Sequence, residues 1–590
     1  MKKLIYLIAI VFLLPVLSGC EKFLDTESFT KKNAETFPLS ADDANQSLTG
    51  TYAVLNAYDP FSNNFMVSEL AADYRFGGGG MDDKISQATH HLLYTDRNAF
   101  EALWAQNYKG IARANAAITA LETTMTKGSA KNQKIGEAKF LRALFYYDLV
   151  QLLGNVPLVK DVPETVQEAK SSPPQAQPDS VYIQIATDLW DAYSTMPASK
   201  WNTYPSGTIT KGAVEGLLAR VWLFYTGFYQ KETLPRDGGQ ITRDDVAAAL
   251  KDCIDHGGYQ LVNDFRSLWP YSNVITKPDY PYDAVKLPKK NGTVGAADDW
   301  VEDGNNREQV FVIKMSILTS WDYPGYANQF CCFFGLRNGN GTDYNNLFPM
   351  GEGYGWGPVN PQLWSDWIKD EPNDMRRVAS IYNQTNSVEN SDYDGEWGAD
   401  SQMEETGLWQ KKIVNIKAYG KDGDPENLYS TFTSAPEYYS SSTSDDYQIG
   451  NATDLTLIRY ADILLMYSEI TKTADGMNEV RARVGLPPVA YSDDALRKER
   501  LHELAFEGQR WSDIRRWHIA EQVLGQMYGT PICNSGVWTT MRQQGGADVV
   551  ARYKATNGFW MIPQQEIDLS NGLLKQNPGW ETNALFNAWR

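Results

Sequence analysis

Apolar residues recur at spacings of three and four through most of the first half of this chain, which commits it to helices that have to stack on one another. Over Lys134–Leu152 the apolar set is Ala138, Leu141, Leu144, Phe145, Leu149 and Leu152, with Lys139, Arg142 and Asp148 elsewhere on the wheel. The pattern predicts an amphipathic helix ended by Gly154 and Pro157. Comparable patterns predict helices over Ala41–Tyr58, Phe100–Leu121, Ser180–Met196, Thr210–Tyr229 and Asp244–Gly257. Helices of this length joined by short polar turns form antiparallel pairs, and each pair buries its apolar face only against a neighbour. The expected class is mainly α, an α-solenoid of helix hairpins.

Between about Pro270 and Asn451 the composition turns to Gly, Asn, Asp, Ser and aromatic residues, and one strand is predicted, Gln309–Met315. Thr319–Gly357 alone carries Trp321, Tyr323, Tyr326, Phe330, Phe333, Phe334, Tyr344, Phe348, Tyr354 and Trp356. Long loops of this kind are uncommon unless functional or disordered, and so many rings argue against disorder. At least half of the rings are expected simply to pack the loops onto the helices. Helical spacing returns at Leu455–Ile470 and at Ala495–Trp517. In the latter Leu501, Leu504, Ala505, Gly508, Trp511 and Ile514 form one face, and Glu499, Arg500, Glu503, Glu507, Arg510 and Asp513 supply ion pairs at helical spacing. Gly508 is read as lying within that helix to permit close packing. The shifts divide the chain into a leader (1–19), an N-terminal helical part (20–269), a loop-rich irregular insertion carrying short strands (270–451) and a C-terminal helical part (452–590), expected to form one body.

The leader has Lys2 and Lys3, an apolar run over Leu4–Leu17, and Leu17-Ser18-Gly19 directly before Cys20. This is the layout of a secretory signal, and the small residues before Cys20 resemble a bacterial lipobox. Cleavage ahead of Cys20 and lipidation of that residue are expected. The alternative, a single membrane-spanning helix, is disfavoured because the run falls short of roughly 20 residues. No second long apolar run follows, so the remainder is expected to face water. The formal net charge of −19 repels nucleic acid and anionic lipid headgroups. Five cysteines in 590 residues are too few for a disulfide-stapled scaffold. No CxxC or Cys/His spacing suggests zinc, and adjacent Cys331 and Cys332 are expected as packed thiols rather than a strained vicinal disulfide.

Three segments resemble signatures of the SusD/RagB family in order and spacing: Arg459-Tyr460-Ala461-Asp462-Ile463-Leu464-Leu465-Met466-Tyr467-Ser468-Glu469, Glu499 through Trp511, and Ile562-Pro563 through Gln576-Asn577-Pro578-Gly579-Trp580. Glu137–Leu149 with Gly154-Asn155-Val156-Pro157-Leu158 is similar to the family's long third helix, and Cys20–Asp25 to its mature start. Ser468-Glu469-Ile470 replaces the usual Ala-Glu-Ala, and the stretch to Val480–Pro487 is shorter than usual, so a tighter link is expected there.

The resemblance implies a lipoprotein anchored to the outer membrane and exposed on the extracellular face, built on tetratricopeptide-like helix pairs. Such a protein is a lid on a SusC-like TonB-dependent transporter; it captures a nutrient, usually an oligosaccharide or polysaccharide, and delivers it. Some relatives handle peptides, which leaves open a peptide-binding subunit of a RagAB-type complex. Sugars present CH faces and hydroxyl rims, which suit the flat faces and polar tips of Tyr and Trp, and the chain has 18 Trp and 33 Tyr. Family sites combine an early loop with the central insertion. This points to Asp73, Tyr74, Arg75 and Phe76 and to Trp300, Trp321, Tyr323, Tyr326, Asn328, Tyr344 and Trp356.

Sharper-looking motifs fail. Gly77–Gly80 lacks the Gly-Lys-Ser/Thr of a phosphate loop. Asn390, Asp392, Asp394 and Gly395 open like a calcium loop, but Ser401 stands where a bidentate Glu belongs, so calcium is retained only as a weak alternative and no metal or other cofactor is expected. Asp422, Asp424 and Glu426 are weaker still. A third class, a lipid-anchored glycoside hydrolase, would need paired carboxylates. The Glu503, Glu507, Arg510 and Asp513 cluster is read as structural instead, and no nucleophile or zinc-protease signature appears. Binding without turnover is the expectation.

Overall fold

The computed structural model describes residues 38–57, 59–163, 173–272, 298–301, 303–316, 324–337, 352–384, 402–419, 425–428, 448, 451–541 and 548–586. Cys20 and the leader, Trp321, Tyr323, Tyr344, the 390–395 loop, Asp422 and Asp424 lie outside them.

The six predicted helices form, the first ending at Tyr52 rather than Tyr58, and one that was not predicted, Asn64–Ala71, joins them. They are α1 (Ala41–Tyr52), α2 (Asn64–Ala71), α3 (Glu101–Thr124), α4 (Ser129–Leu153), α5 (Pro178–Thr195), α6 (Lys211–Phe228) and α7 (Arg243–His256). Local chemistry sets their ends. Ser40 and Asp43 make a reciprocal capping box at α1, Thr242 and Asp245 another at α7. Gly154, with φ +69°, stops α4 in the left-handed region that glycine tolerates. The helices then stack in succession: α1 on α3, α3 on α4, α4 on α5, α5 on α6 and α6 on α7. This is the mainly α, tetratricopeptide-like stack of helix hairpins that the periodicity and the resemblance implied.

After a long excursion the chain returns to the stack. Helix α8 (Tyr460–Thr471) packs on α7, and α9 (Asp475–Arg483) and α10 (Asp493–Leu504) pack on α8. The link between α8 and α9 is only Lys472–Ala474, with Lys472 left-handed at φ 58°. The excursion is rooted by one antiparallel pair, β1 (Gln309–Ile313) with β2 (Leu455–Arg459). Other strands in the insertion are short, such as Ile381–Asn383 with Leu408–Gln410. Among the described residues no helix is long and apolar enough to cross a membrane.

Two expectations are corrected. Leu455–Arg459 is strand and not the first turn of a helix, because Leu455, Thr456, Ile458 and Arg459 pair with β1, with the register shifting around Leu457 and before Arg459. Ala495–Trp517 is two helices: α10 ends at Leu504, and α11 (Arg510–Arg516) begins after a turn in which Phe506 and Gly508 have φ 68° and 76°. Gly508 therefore serves the turn, where an added Cβ would also stand 2.8 Å from the Phe65 ring. Cys253, Cys331, Cys332 and Cys533 are buried.

The acidic and basic residues of α10 and α11 pair with distant segments more than with one another. Glu503 accepts from Arg376 Nη1 at 3.0 Å, Arg459 Nη1 at 3.0 Å and Arg483 Nη2. Glu507 accepts from Arg459 Nε at 2.7 Å and Lys412 Nζ at 2.7 Å, Glu499 from Arg376 and Arg481, and Glu308 from Arg459 and Arg483. All of these except Arg481 and Glu507 are at most 3 % exposed. A second cluster joins Asp462 to Arg220 and Arg500, Asp513 to Arg500, and Glu469 to Arg516. The family-like signatures thus supply the ionic staples that fasten the insertion to the helix stack.

Glu215 on α6 carries a pH-dependent cost. Its side chain is buried, with Lys211 Nζ 4.0 Å away. Burial first, and then the hydrogen bond and charge of Asp252, push its carboxyl from 4.5 up to about 9. Between those values the folded protein holds a proton that the unfolded chain has released, so stability falls as pH rises through that window. Glu215→Gln is expected to flatten the slope by up to roughly 1 kcal/mol per pH unit. Urea midpoints at pH 6 and pH 8 test this; equal pH slopes in parent and variant would refute it.

Candidate functional site

The early loop and the central insertion do meet. Arg75 bridges to Val359 and Gly78 to Trp356, while Phe76 N donates to Pro358 O at 2.8 Å and Gly79 N to Gly355 O at 2.7 Å. Met403 N donates back to Gly79 O at 2.8 Å, which brings a third segment alongside. Gly78 is required here: its φ is +67°, and a Cβ would stand 2.3 Å from Pro358 Cδ.

Several predicted site residues are consumed in making that junction. Tyr74 Oη donates to Glu69 Oε1 at 2.6 Å and its ring meets Phe506 edge-on at 5.1 Å. Arg75 Nε donates to Glu69 Oε2 at 2.5 Å, with the guanidinium between the Phe334 and Phe506 rings at 4.4 and 4.6 Å. Phe76 is buried. Trp356 packs 4.5 Å from Phe333 and 5.8 Å from Phe61. Burial on both faces withdraws Tyr74, Arg75, Phe76 and Trp356 from the ligand-facing role expected of them; they hold loops together. Asp73 takes two hydrogen bonds from Arg510, at 2.7 and 2.8 Å.

Trp300 and Asn328 are brought together in a different place. They line a cavity of about 50 Å³ with Trp269, Asp303, Gln309, Thr453 and Lys412. That volume accommodates roughly three to five waters or one small polar group. Asn328 Nδ2 donates to Thr453 O at 2.9 Å, leaving Oδ1 buried and without a protein hydrogen bond. The Nε1 of Trp269 is buried and likewise unmatched. An unmatched donor and an unmatched acceptor thus belong to residues that line a cavity flanked by two indoles. Tyr326, 42 % exposed, lies two residues before Asn328 and accepts from Ser316 N at 2.9 Å through its carbonyl.

The cavity floor is charged. Lys412 Nζ lies 5.1 and 5.0 Å from the Phe265 and Trp269 ring centroids, and burial lowers its pKa to about 8 despite Glu507. Asp303 accepts from Gln309 Nε2 and Asp454 N, each at 2.8 Å. Burial and then the neighbouring Asp454 push its carboxyl up to about 7. Among the described residues no group of three or more His, Cys, Asp or Glu is placed to hold a metal ion.

Residues 343–580 match the SusD family, and residues 22–223 match a SusD-like family described as starch-binding associating with outer membrane. The chain belongs to the SusD-like family. It is similar to SusD-like protein P2 of Formosa agariphila, with 24 % identity over 98 % of this chain and 100 % of that one. Its fold is similar to surface glycan-binding protein A from Bacteroides fluxus, with TM-score 0.66 and 21 % identity over 92 % of this chain and 100 % of the other. The corresponding Bacteroides thetaiotaomicron protein, solved in complex with laminarihexaose, gives TM-score 0.64 and 18 % identity, over 91 % and 99 % of the two chains.

In this SusD-like chain, Trp300 and Asn328 are the predicted site residues that line the cavity, with the exposed Tyr326 two residues before Asn328. Trp269 and Lys412 were not anticipated. Trp269 does lie in an aromatic run, Phe265 to Tyr271, at the expected start of the insertion, and that is the one signal that pointed to it.

Proposed function

We propose that this protein is a lipoprotein, anchored through Cys20 on the extracellular face of the outer membrane, that captures an oligosaccharide or polysaccharide. It hands the ligand to a SusC-like TonB-dependent transporter and binds without turnover. The observation that carries the reading is a cavity lined by Trp269, Trp300 and Asn328, with Trp269 Nε1 and Asn328 Oδ1 unmatched within the protein, on a chain of this family. Indole faces suit the CH face of a sugar ring, and the two unmatched groups suit one of its hydroxyls. Trp300, Tyr326 and Asn328 are the proposed contacts.

Calorimetric titration of residues 21–590 against a glycan panel that includes laminarihexaose, together with a mixed peptide pool, tests it. Saturable binding of one glycan class is expected, weakened at least about tenfold in Trp300→Ala, which corresponds to about 1.4 kcal/mol. Binding of peptides alone would replace the glycan reading with a peptide-binding one. Glycan binding unchanged in Trp300→Ala would remove the site from this cavity.

A further inference from the structure

A second cavity lies on the other side of β2. Leu455, Thr456 and Arg459 line the cavity described above, whereas Leu457 and Ile458 line this one, and the two share no residue. It measures about 80 Å³, room for roughly five to eight waters or about as many non-hydrogen atoms of an organic molecule. Part of its wall is apolar and rich in rings, Phe65, Phe140, Phe145 and Phe311 with Leu144 and Leu217, and the rest is polar, with Asn64, Gln106, Asn107 and Gln151.

One carboxylate stands in that wall. Asp148 on α4 is half-buried; it accepts from Asn64, whose N lies 3.5 Å from Oδ2, and has no salt bridge among the described residues. The polar groups around it are satisfied elsewhere. Asn64 Nδ2 donates to Gln151 Oε1, Ser68 Oγ donates to Asn64 Oδ1 at 2.5 Å, and Gln151 Nε2 donates to Tyr147 Oη and Ser512 Oγ at 3.0 Å. The cation in the lining, Arg220, is neutralised by Asp462 at 2.7 Å and donates to Leu457 O at 2.6 Å. The cavity therefore presents one acid without a salt bridge beside aromatic rings. A carboxylate partly withdrawn from water is stabilised when a cation or a proton reaches it, and ring faces add attraction for an ammonium group.

We propose that this cavity is a binding site for a small organic cation, an alkylammonium of about five non-hydrogen atoms, whose charge pairs with Asp148 while its chain lies against Phe140, Phe145 and Leu144. Burial pushes the Asp148 carboxyl up to about 7, so without a ligand cation the site is close to taking a proton instead. The ligand class differs from the glycan of the first cavity, and the two sites are separable by mutation because no lining residue is common to them.

The test titrates residues 21–590, which retain every described residue, with n-butylammonium and with 1-butanol as its neutral analogue. Saturable binding of the ammonium at least about tenfold tighter than the alcohol is expected, with the preference abolished in Asp148→Asn. That substitution is close to isosteric, and an unchanged urea midpoint would show that the fold is intact. Leu144→Phe, which fills the cavity while keeping the acid, is expected to remove binding of both compounds. Absence of saturable ammonium binding, equal affinity for the two compounds, or a preference that survives in Asp148→Asn would each overturn the proposal.

Discussion

Glu503→Ala is expected to destabilise the protein by about 3–5 kcal/mol, the range for removing one partner of a buried ion cluster. The carboxylate of Glu503 is 0 % exposed and receives Arg376, Arg459 and Arg483. Glu308, Glu499, Glu507 and Asp374 remain around these cations, but none can replace an acceptor placed between three guanidinium groups. Burial alone would raise the Glu503 carboxyl; Arg483, then Arg459 and Arg376, hold it far below the usual carboxylate range. A depressed carboxyl contributes stability that is present above its unfolded value near 4.5 and is lost as pH falls toward the folded value. The penalty of Glu503→Ala should accordingly shrink in acid. An exposed pair gives the control: Lys498 and Asp370, at 2.9 Å with Lys498 56 % exposed, are worth no more than about 1 kcal/mol. Urea midpoints at pH 7 for Glu503→Ala and Lys498→Ala separate the two cases. Equal, small losses would mean that the buried cluster contributes no more than surface charge does.

The same cluster shows what the sequence discloses and what it withholds. Helices α3 to α7 were legible because each buries a continuous stripe long enough to distinguish a period of 3.6 from one of 2. The short run at Leu455–Arg459 was not: Leu455, Leu457 and Ile458 suit either period, and only pairing with β1 decides between them. Arg459, Glu503 and Glu507 were recognisable as signature residues, but their partners Glu308, Arg376 and Lys412 lie 151, 127 and 95 residues away in an insertion without periodicity. At the candidate site, ring content pointed correctly to the insertion as aromatic-rich, yet composition does not separate a ring packed on both faces, as Trp356 is, from one lining a cavity, as Trp300 does. That distinction depends on which loop crosses which, and the crossing is set by backbone hydrogen bonds such as Gly357 N to Gly77 O at 3.0 Å.

Those crossings depend on one acid. Glu404 is 0 % exposed; its Oε2 accepts from Gly77 N at 2.9 Å and Gly78 N at 3.1 Å, and its Oε1 is 3.2 Å from His91 Nε2. Its own amide donates to Asn534 Oδ1 at 2.7 Å, so four segments converge on it. The backbone at Glu404 has φ 49°, a left-handed conformation costing about 1–2 kcal/mol for a residue other than glycine. Glu404→Ala would retain that cost while leaving the two amide donors of Gly77 and Gly78 buried without this acceptor, each worth about 1–3 kcal/mol. The expected loss is at least about 3 kcal/mol, concentrated locally, because the glycine loop is held to residues 355–359 by few other side chains. Burial alone would raise the Glu404 carboxyl, but His91, then His90 and the Gly78 amide, keep it below the ordinary range. This contribution too is present above about pH 4.5 and fades as pH falls. Amide hydrogen exchange checks the prediction site by site: in Glu404→Ala the Gly77, Gly78 and Gly79 amides should exchange at least about a hundredfold faster, while those of α4 and α6 keep their protection. Uniform acceleration across the helices would show instead that Glu404 supports the whole fold, and unchanged exchange would show that the backbone pairs hold the junction without it.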